Sequence, residues 1–244
     1  MDKQIIKLVR LLSDKKNREQ YKLFVAEGVK LCSEVVKSNL KIYKLFYINF
    51  LPEELNGVNS EKISVSEMSR ISALKNPPTA LALVEIPDKY DISIEQKELV
   101  LALDCVQDPG NLGTIIRICD WFGIRKIFCS FDCADLYNNK VVQSTMGAIT
   151  RVEVEYCDLE SKLLAAKQSG IPIYSTALDG DNIYKSELSK SGVIVMGNEG
   201  KGVSEKIQKL STSRLLIPSY PEDNVCESLN VAVATSIICS EFRR

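Results

Sequence analysis

The sequence contains no histidine. That absence removes Ser-His-Asp and Cys-His catalysis, and with them every histidine-ligated metal. The eight cysteines (Cys32, Cys105, Cys119, Cys129, Cys133, Cys157, Cys226 and Cys239) include no C-x-x-C pair and lie scattered along apolar segments. Buried free thiols are therefore expected, with no disulfide framework and no metal. No apolar run reaches the roughly 18 residues that cross a bilayer. The opening stretch MDKQIIKLVRLL is interrupted by Lys7 and Arg10 and reads as an amphipathic helix, not a signal peptide. A cytoplasmic protein without a membrane partner is the expectation. The G-x-G-x-x-G fingerprint of dinucleotide enzymes is also missing, which argues against an α/β oxidoreductase.

Charge of one sign is lacking as well: the net charge is −1 over 244 residues, so a generic polyanion binder is not indicated. The distribution is uneven. Residues 1–45 hold eleven Lys/Arg against five Asp/Glu, or +6, and the remainder holds twenty against twenty-seven, or −7. Contact with a polyanion, if the protein makes one, is expected to begin at the N-terminal end.

What is present is an α/β pattern in two blocks. Residues 1–86 alternate helix and strand signals, with strands expected over 41–48 and 80–86. A polar, proline-started stretch, 87–98, reads as a linker. Residues 99–244 then repeat strand and helix. Strands are expected at 99–106, 126–131, 151–156, 171–175, 193–198 and 214–218, and helices at 111–122, 139–147, 158–169, 203–210 and 228–242. Several strands are continuous apolar runs, as in a mostly parallel sheet covered by helices on both faces. Asp158 is a plausible N-cap, and Gly123 and Gly170 plausible helix stops.

In such a sheet ligands sit beyond the carboxyl ends of the strands, and three of those ends carry unusual residues. The first is QDPGNLGTIIR (107–117): Pro109 and Gly110 make a tight bend, Asn111 looks like an N-cap, and Arg117 falls off the buried helical stripe. The second is MGNEGKGV (196–203), with Gly197, Gly200 and Gly202 around Asn198, Glu199 and Lys201. Its glycines allow close backbone approach to a ligand, but the P-loop spacing is absent and the glutamate would repel phosphate. The third runs from Ile217-Pro218 to Ser228-Leu229-Asn230, where Ser228 is a fair cap for a Val/Ala-rich helix.

Together, N-L-G-T-I-I-R (111–117), M-G-N-E-G-K-G-V-S (196–204) and I-P (217–218) with S-L-N-V-A-V-A (228–234) resemble the three motifs of the SpoU-type branch of the SPOUT methyltransferases, RNA ribose 2′-O-methyltransferases that use S-adenosylmethionine. Order, spacing and strand-end placement match over residues 99–244. The first block resembles, through FVAEG (24–28) after a basic helix, the small α/β substrate-binding domain that often precedes this catalytic domain. The resemblance implies a C-terminal trefoil knot, which periodicity does not reveal, and a homodimer through the methyltransferase domain. It implies that Thr176, Gly197, Asn198, Glu199, Gly202, Ile217, Pro218 and Leu229 bind the cofactor. Asn111, Arg117, Glu199, Ser228 and Asn230 would form the catalytic surface. The +6 balance adds Lys15, Lys16, Arg18 and Lys22, beside Arg117, as contacts to a tRNA or rRNA. One departure stands out: the loop after Pro218 is SYPEDNVCE, with Pro221, Glu222 and Asp223 and no glycine. A binding protein of the same fold without catalysis is the alternative.

The resemblance brings with it the suggestion that arginine is the base. A guanidinium ordinarily titrates about 6 units above neutrality, so a neutral arginine costs about 8 kcal/mol at ~1.36 kcal/mol per unit. Arg117 is better read as a cation that grips the target phosphate, with Asn111, Ser228 and Asn230 orienting the ribose and Glu199 pinning Asn111 or its loop.

Overall fold

The computed structural model describes residues 1–88, 92–220 and 228–244. Pro221, Glu222 and Asp223 of the third loop, and Cys226, lie outside the described residues. In chain order the helices are α1 (Lys3–Leu11), α2 (Lys15–Tyr21), α3 (Val29–Val36), α4 (Val65–Ile71), α5 (Pro109–Trp121), α6 (Asn139–Ser144), α7 (Leu159–Gln168), α8 (Glu205–Gln208) and α9 (Val231–Arg243). The strands are β1 (Leu23–Glu27), β2 (Ile42–Tyr47), β3 (Ser60–Lys62), β4 (Ala80–Glu85), β5 (Leu99–Leu103), β6 (Lys126–Cys129), β7 (Glu153–Tyr156), β8 (Ile173–Asn182), β9 (Gly192–Met196) and β10 (Ser213–Leu216). They form two compact units: Met1–Lys89 with Asp135–Arg151, and Tyr90–Ala134 with Val152–Arg244.

The first unit is a four-stranded sheet in the order β1-β4-β2-β3. β4 runs antiparallel to both β1 and β2, and β3 runs parallel to β2. Ala80 to Val84 are all buried, as a central strand requires. α1 starts where the Asp2 carboxylate accepts the Gln4 N–H, and Ile6, Val9 and Leu12 enter the core with Phe46, Leu81 and Leu83. α4 starts in a capping box between Ser64 and Glu67.

The discontinuous piece of this unit has a physical basis. Asp135 accepts from Arg18 Nη2 at 2.7 Å, Tyr137 stacks on Phe24 with centroids 4.8 Å apart, and Arg151 pairs with Glu34. Residues 135–151, placed by sequence inside the second block, thus pack with the first. This corrects one proposed RNA contact. Arg18 is 3% exposed, and its Nη1 donates to the Leu12 and Ser13 carbonyls at 2.7 and 2.8 Å. Its guanidinium is engaged in holding the fold. Lys15, Lys16 and Lys22 are exposed. The helix expected over 139–147 stops at Ser144, because Met146 and Gly147 adopt φ of 52° and 99°.

The second unit is a six-stranded sheet in the order β10-β8-β9-β5-β6-β7, and each of its ladders is parallel. The central strands β5 and β9 are buried throughout. On one face Val100, Ala102, Val193 and Val195 pack with Leu159 and Leu163 of α7 and Ile207 of α8. The intervening Leu101, Leu103, Ile194 and Met196 point the other way and are buried too, and α5 and α9 pack on each other. Gly123 and Gly170 close α5 and α7 at φ of 66° and 76°, the stops expected from sequence. β8 runs past its expected end at Ser175. Arg214 pairs with Ser175 but Leu215 pairs with Asp181, so residues 176–180 bulge from the ladder.

Among the described residues no helix is long and apolar enough to cross a membrane, and no group of three potential metal ligands is present. The seven described cysteines are free. The expected trefoil knot depends on the path between β10 and α9, which includes residues outside the described set.

Candidate active site

The carboxyl ends of β5, β9 and β10 carry the three motifs. At the end of β5, the Asp104 N–H donates to the Met196 carbonyl at 2.9 Å, and its buried carboxylate accepts the Ser204 N–H at 2.7 Å. Cys105 follows in the left-handed conformation, φ 63°. The Cys105 N–H donates to Ser130 Oγ at 2.9 Å, and Cys133 Sγ accepts the Val106 N–H and donates to the Leu103 carbonyl, both at 3.3 Å. Hydrogen bonding from Cys129 is the main cause that holds the Cys133 thiol down to about 7, against the upward push of burial. Cys133 is thus a strut beneath the first motif. Sequence reading passed over it because its partners are backbone atoms of a distant strand.

The helix that follows begins earlier than expected. Asp108, not Asn111, is the N-cap of α5: its Oδ1 accepts the Asn111 N–H at 2.8 Å, with Pro109 in the first turn. The pattern Asp-Pro is itself a helix-start signal that could have located it. Asn111 therefore has its side chain available for other work. At the third motif, likewise, the cap of α9 is Asn230 and not Ser228. Asn230 Oδ1 accepts from the Ala232 and Val233 N–H groups at 2.9 and 3.3 Å. Ser228 is exposed, two residues before that cap.

These starts align one polar chain. Asn230 Nδ2 donates to Asn111 Oδ1 at 3.0 Å, and Asn111 Nδ2 donates to Glu199 Oε1 at 3.0 Å. The direction is fixed at both ends. Asn230 must turn its oxygen to the helix N–H groups, and an ionised carboxylate can only accept. Glu199 Oε1 also lies 3.4 Å from the Asp108 N–H, and Oε2 lies 3.4 Å from Asn198 Nδ2. Residues from all three motifs are joined in a single hydrogen-bonded run.

The glycine loop is equally constrained. Asn198 and Gly202 exchange backbone hydrogen bonds at 3.0 and 2.9 Å. Asn198 Oδ1 accepts the Gly200 and Lys201 N–H groups, and its Nδ2 donates to the Cys105 carbonyl at 2.9 Å. A Cβ on Gly197 would lie 2.1 Å from the Gly202 carbonyl carbon and the Val203 nitrogen. Gly202 sits at φ 70°. Thr176 Oγ1 donates to the Val195 carbonyl at 3.3 Å, and Ser175 Oγ beside it is buried with no partner among the described residues. Ile217 and Pro218 are half-buried, while Leu229 is 48% exposed.

Arg117 lies six residues beyond Asn111, a little under two helical turns and about 9 Å along the axis. It is exposed, as its place off the buried stripe implied, and makes no hydrogen bond or ion pair among the described residues.

Comparison with known proteins is consistent along the whole chain. The SpoU rRNA Methylase family matches residues 98–240, and the MRM3-like substrate binding domain matches residues 3–82. The 23S rRNA (guanosine(2553)-2′-O)-methyltransferase RlmP of Bacillus subtilis is 30% identical over 98% of this chain and 96% of its own. A structure assigned to the TrmH family of RNA methyltransferases, from Porphyromonas gingivalis, superposes with a TM-score of 0.89 at 34% identity, covering 100% of this chain and 98% of the other. An AdoMet-bound rRNA methyltransferase from Sinorhizobium meliloti superposes with a TM-score of 0.86 at 28% identity, covering 99% and 94%.

Proposed function

The chain belongs to the SpoU rRNA methylase family, and from that premise we propose how its own residues carry the reaction. The protein is an S-adenosylmethionine-dependent RNA ribose 2′-O-methyltransferase. The residues present suit the cofactor. Gly197 lets the loop close on its own backbone at Gly202 and Val203, Ser175 Oγ is a buried hydroxyl without a partner among the described residues, and Leu229, Ile217 and Pro218 offer apolar surface. Gly197, Asn198, Gly202, Thr176, Ile217, Pro218 and Leu229 would hold it. When bound, it supplies an electrophilic methyl group on a sulfonium.

The protein's part is to orient the ribose and ease the loss of the hydroxyl proton. The observation that carries this reading is the chain Asn230–Asn111–Glu199. Glu199 is occupied as an acceptor within it and pins Asn111, so it positions rather than acts as base. Asn111, Ser228 and Asn230 present polar groups to the ribose. Arg117, which makes no ion pair among the described residues, is suited to grip the target phosphate and stabilise a developing alkoxide. At about 4 Å and an effective dielectric of ~20, a charge contributes about 4 kcal/mol, or ~3 units on the hydroxyl. That gain needs no neutral guanidinium, which would cost about twice as much.

We assign the target to ribosomal RNA, at a guanosine, because a relative covering nearly the whole chain, RlmP, is named for that activity. A homodimer through α5 and α9 accords with Trp121, 85% exposed on α5, and Val233, 50% exposed on α9. The decisive assay is methyl transfer from labelled S-adenosylmethionine to protein-free ribosomal RNA and to bulk tRNA, with wild type and Arg117→Lys. Substantial activity in the lysine variant supports the electrostatic role. Total loss with intact cofactor binding indicates that the fork geometry or base chemistry is needed. Cofactor binding by wild type without transfer to any RNA would identify a non-catalytic RNA binder.

A further inference from the structure

α1 and α4 pack side by side on the first unit, and their outer surface has an unusual charge. On α1 the exposed positions are Lys3, Gln4, Lys7 and Arg10. On α4 they are Val65, Ser66, Ser69 and Arg70. Four cations stand there, and within α1 and α4 themselves no exposed acid accompanies them. The acidic groups near this edge are committed elsewhere: Asp2, itself exposed, caps α1, Glu67 accepts from Ser64 and from the Met1 ammonium at 2.6 Å, and Glu61 pairs with Lys44. None of the four cations makes an ion pair among the described residues.

Helix stability does not account for the arrangement. Lys3 lies in the first turn, where the macrodipole disfavours a cation. Lys3 and Lys7 are four residues apart and Lys7 and Arg10 three, spacings at which like charges destabilise a helix. Arg10 Nε donates to the Arg70 carbonyl at 2.8 Å, which holds two guanidinium-bearing residues together. From Lys3 to Arg10 the row extends about 10 Å along α1.

We propose that Lys3, Lys7, Arg10 and Arg70 form a phosphate-tracking ridge that binds the sugar-phosphate backbone of the RNA substrate. A row of unpaired cations on a convex helical face suits phosphodiesters and reads no base. It rests on the methyltransferase reading for the identity of the polyanion. It shifts the RNA-facing surface from the α2 lysines expected from sequence to α1 and α4. An anionic membrane is the less suitable partner, since the apolar side of α1 (Ile6, Val9, Leu12) is buried in the unit and cannot insert.

The test uses the full chain and protein-free ribosomal RNA, with binding measured across a salt series. Replacing all four residues by glutamine should weaken binding at least tenfold at low salt. The slope of log K against log salt should fall by about 0.7–0.9 for each phosphate contact removed. S-adenosylmethionine affinity should not change. Lys7→Glu is the sharper variant. It sets a carboxylate between Lys3 and Arg10, so it should hold or raise the unfolding midpoint while raising the KM for RNA and leaving kcat alone. A purely structural role predicts the opposite pairing. An unchanged salt slope in the fourfold variant would overturn the ridge, as would loss of binding to phosphatidylglycerol vesicles with RNA binding intact. Should wild type bind RNA through these residues yet methylate none, the ridge stands and the enzymatic reading fails. Should methylation proceed with all ridge variants unaffected, the reverse holds.

Discussion

A methyl group at position 197 has no room. An added Cβ would sit 2.1 Å from the Gly202 carbonyl carbon and Val203 nitrogen and 2.4 Å from the Gly202 oxygen. All three are backbone atoms, so no rotamer change relieves the clash. The turn must open, breaking the paired hydrogen bonds between Asn198 and Gly202. Two such bonds contribute ~1–3 kcal/mol together, and displacing Asn198 from the Cys105 carbonyl adds about 1 more. At ~1.4 kcal/mol per decade, a loss of about 3 kcal/mol weakens S-adenosylmethionine roughly 100-fold. Two neighbouring glycines calibrate the effect. Gly202→Ala meets nothing within 4 Å but must hold φ 70°, which costs roughly 1–2 kcal/mol, or about tenfold in affinity. Gly200→Ala has ordinary φ and finds only Asn198 Oδ1 at 3.8 Å, so it should stay within about 0.5 kcal/mol. Calorimetric titration of the cofactor into the three variants, with thermal unfolding alongside, gives the ranking. If Gly197→Ala binds as tightly as Gly200→Ala, this account of the loop is wrong.

Asn230 combines two roles that substitution can separate. Asn230→Ser keeps a capping oxygen, so stability should change by no more than about 0.5 kcal/mol, yet it removes the amide that orients Asn111, and kcat should fall tenfold or more; full activity would disprove the positioning role. Asn230→Ala should additionally lose about 1 kcal/mol of stability in denaturant titration. Cys105 holds φ 63° without being glycine, so Cys105→Gly should raise stability by about 1 kcal/mol, net of the added backbone entropy, while Cys105→Ala should give no gain. The Glu67 carboxyl is lowered to about 2, first by the Met1 ammonium and then by the Ser64 N–H and hydroxyl. A depressed carboxyl stabilises the fold above its unfolded value, ~4.3, and that stabilisation disappears as pH falls through about 2. Wild type should therefore unfold later than Glu67→Gln at neutral pH, and the two midpoints should converge at the acid end of a pH series.

How far the fold was legible followed the range of the forces involved. β5 and β9 were readable as continuous apolar runs, because both of their faces are covered and every position obeys one rule. Gly123 and Gly170 were readable because a helix stop is a local matter. Arg18 was not: the oxygen that binds its Nη2 belongs to Asp135, 117 residues away, and nothing near position 18 marks it as buried. The bulge at 176–180 escaped for the same reason, since it is set by register against β10 and by the approach of Gly180 to within 2.7 Å, measured from an added Cβ, of the Arg214 backbone.

At the site, the residues were identifiable but two of their jobs were not. Asn111 and Ser228 are each good caps in isolation, and in each case a neighbouring residue does the capping. The difference decides the chemistry. An asparagine that caps its own helix commits its oxygen to backbone N–H groups. Had Asn111 done so, its oxygen would be turned to those N–H groups and away from Asn230 Nδ2. Pro109 prevents this. With no N–H of its own and φ set near the helical value, it fits the first turn, and the cap falls to Asp108. Asn111 is carried into the helix with its amide still available at both ends, one for Asn230 and one for Glu199. The proline that looked like a mere bend thus sets which residue is structural and which can face the substrate.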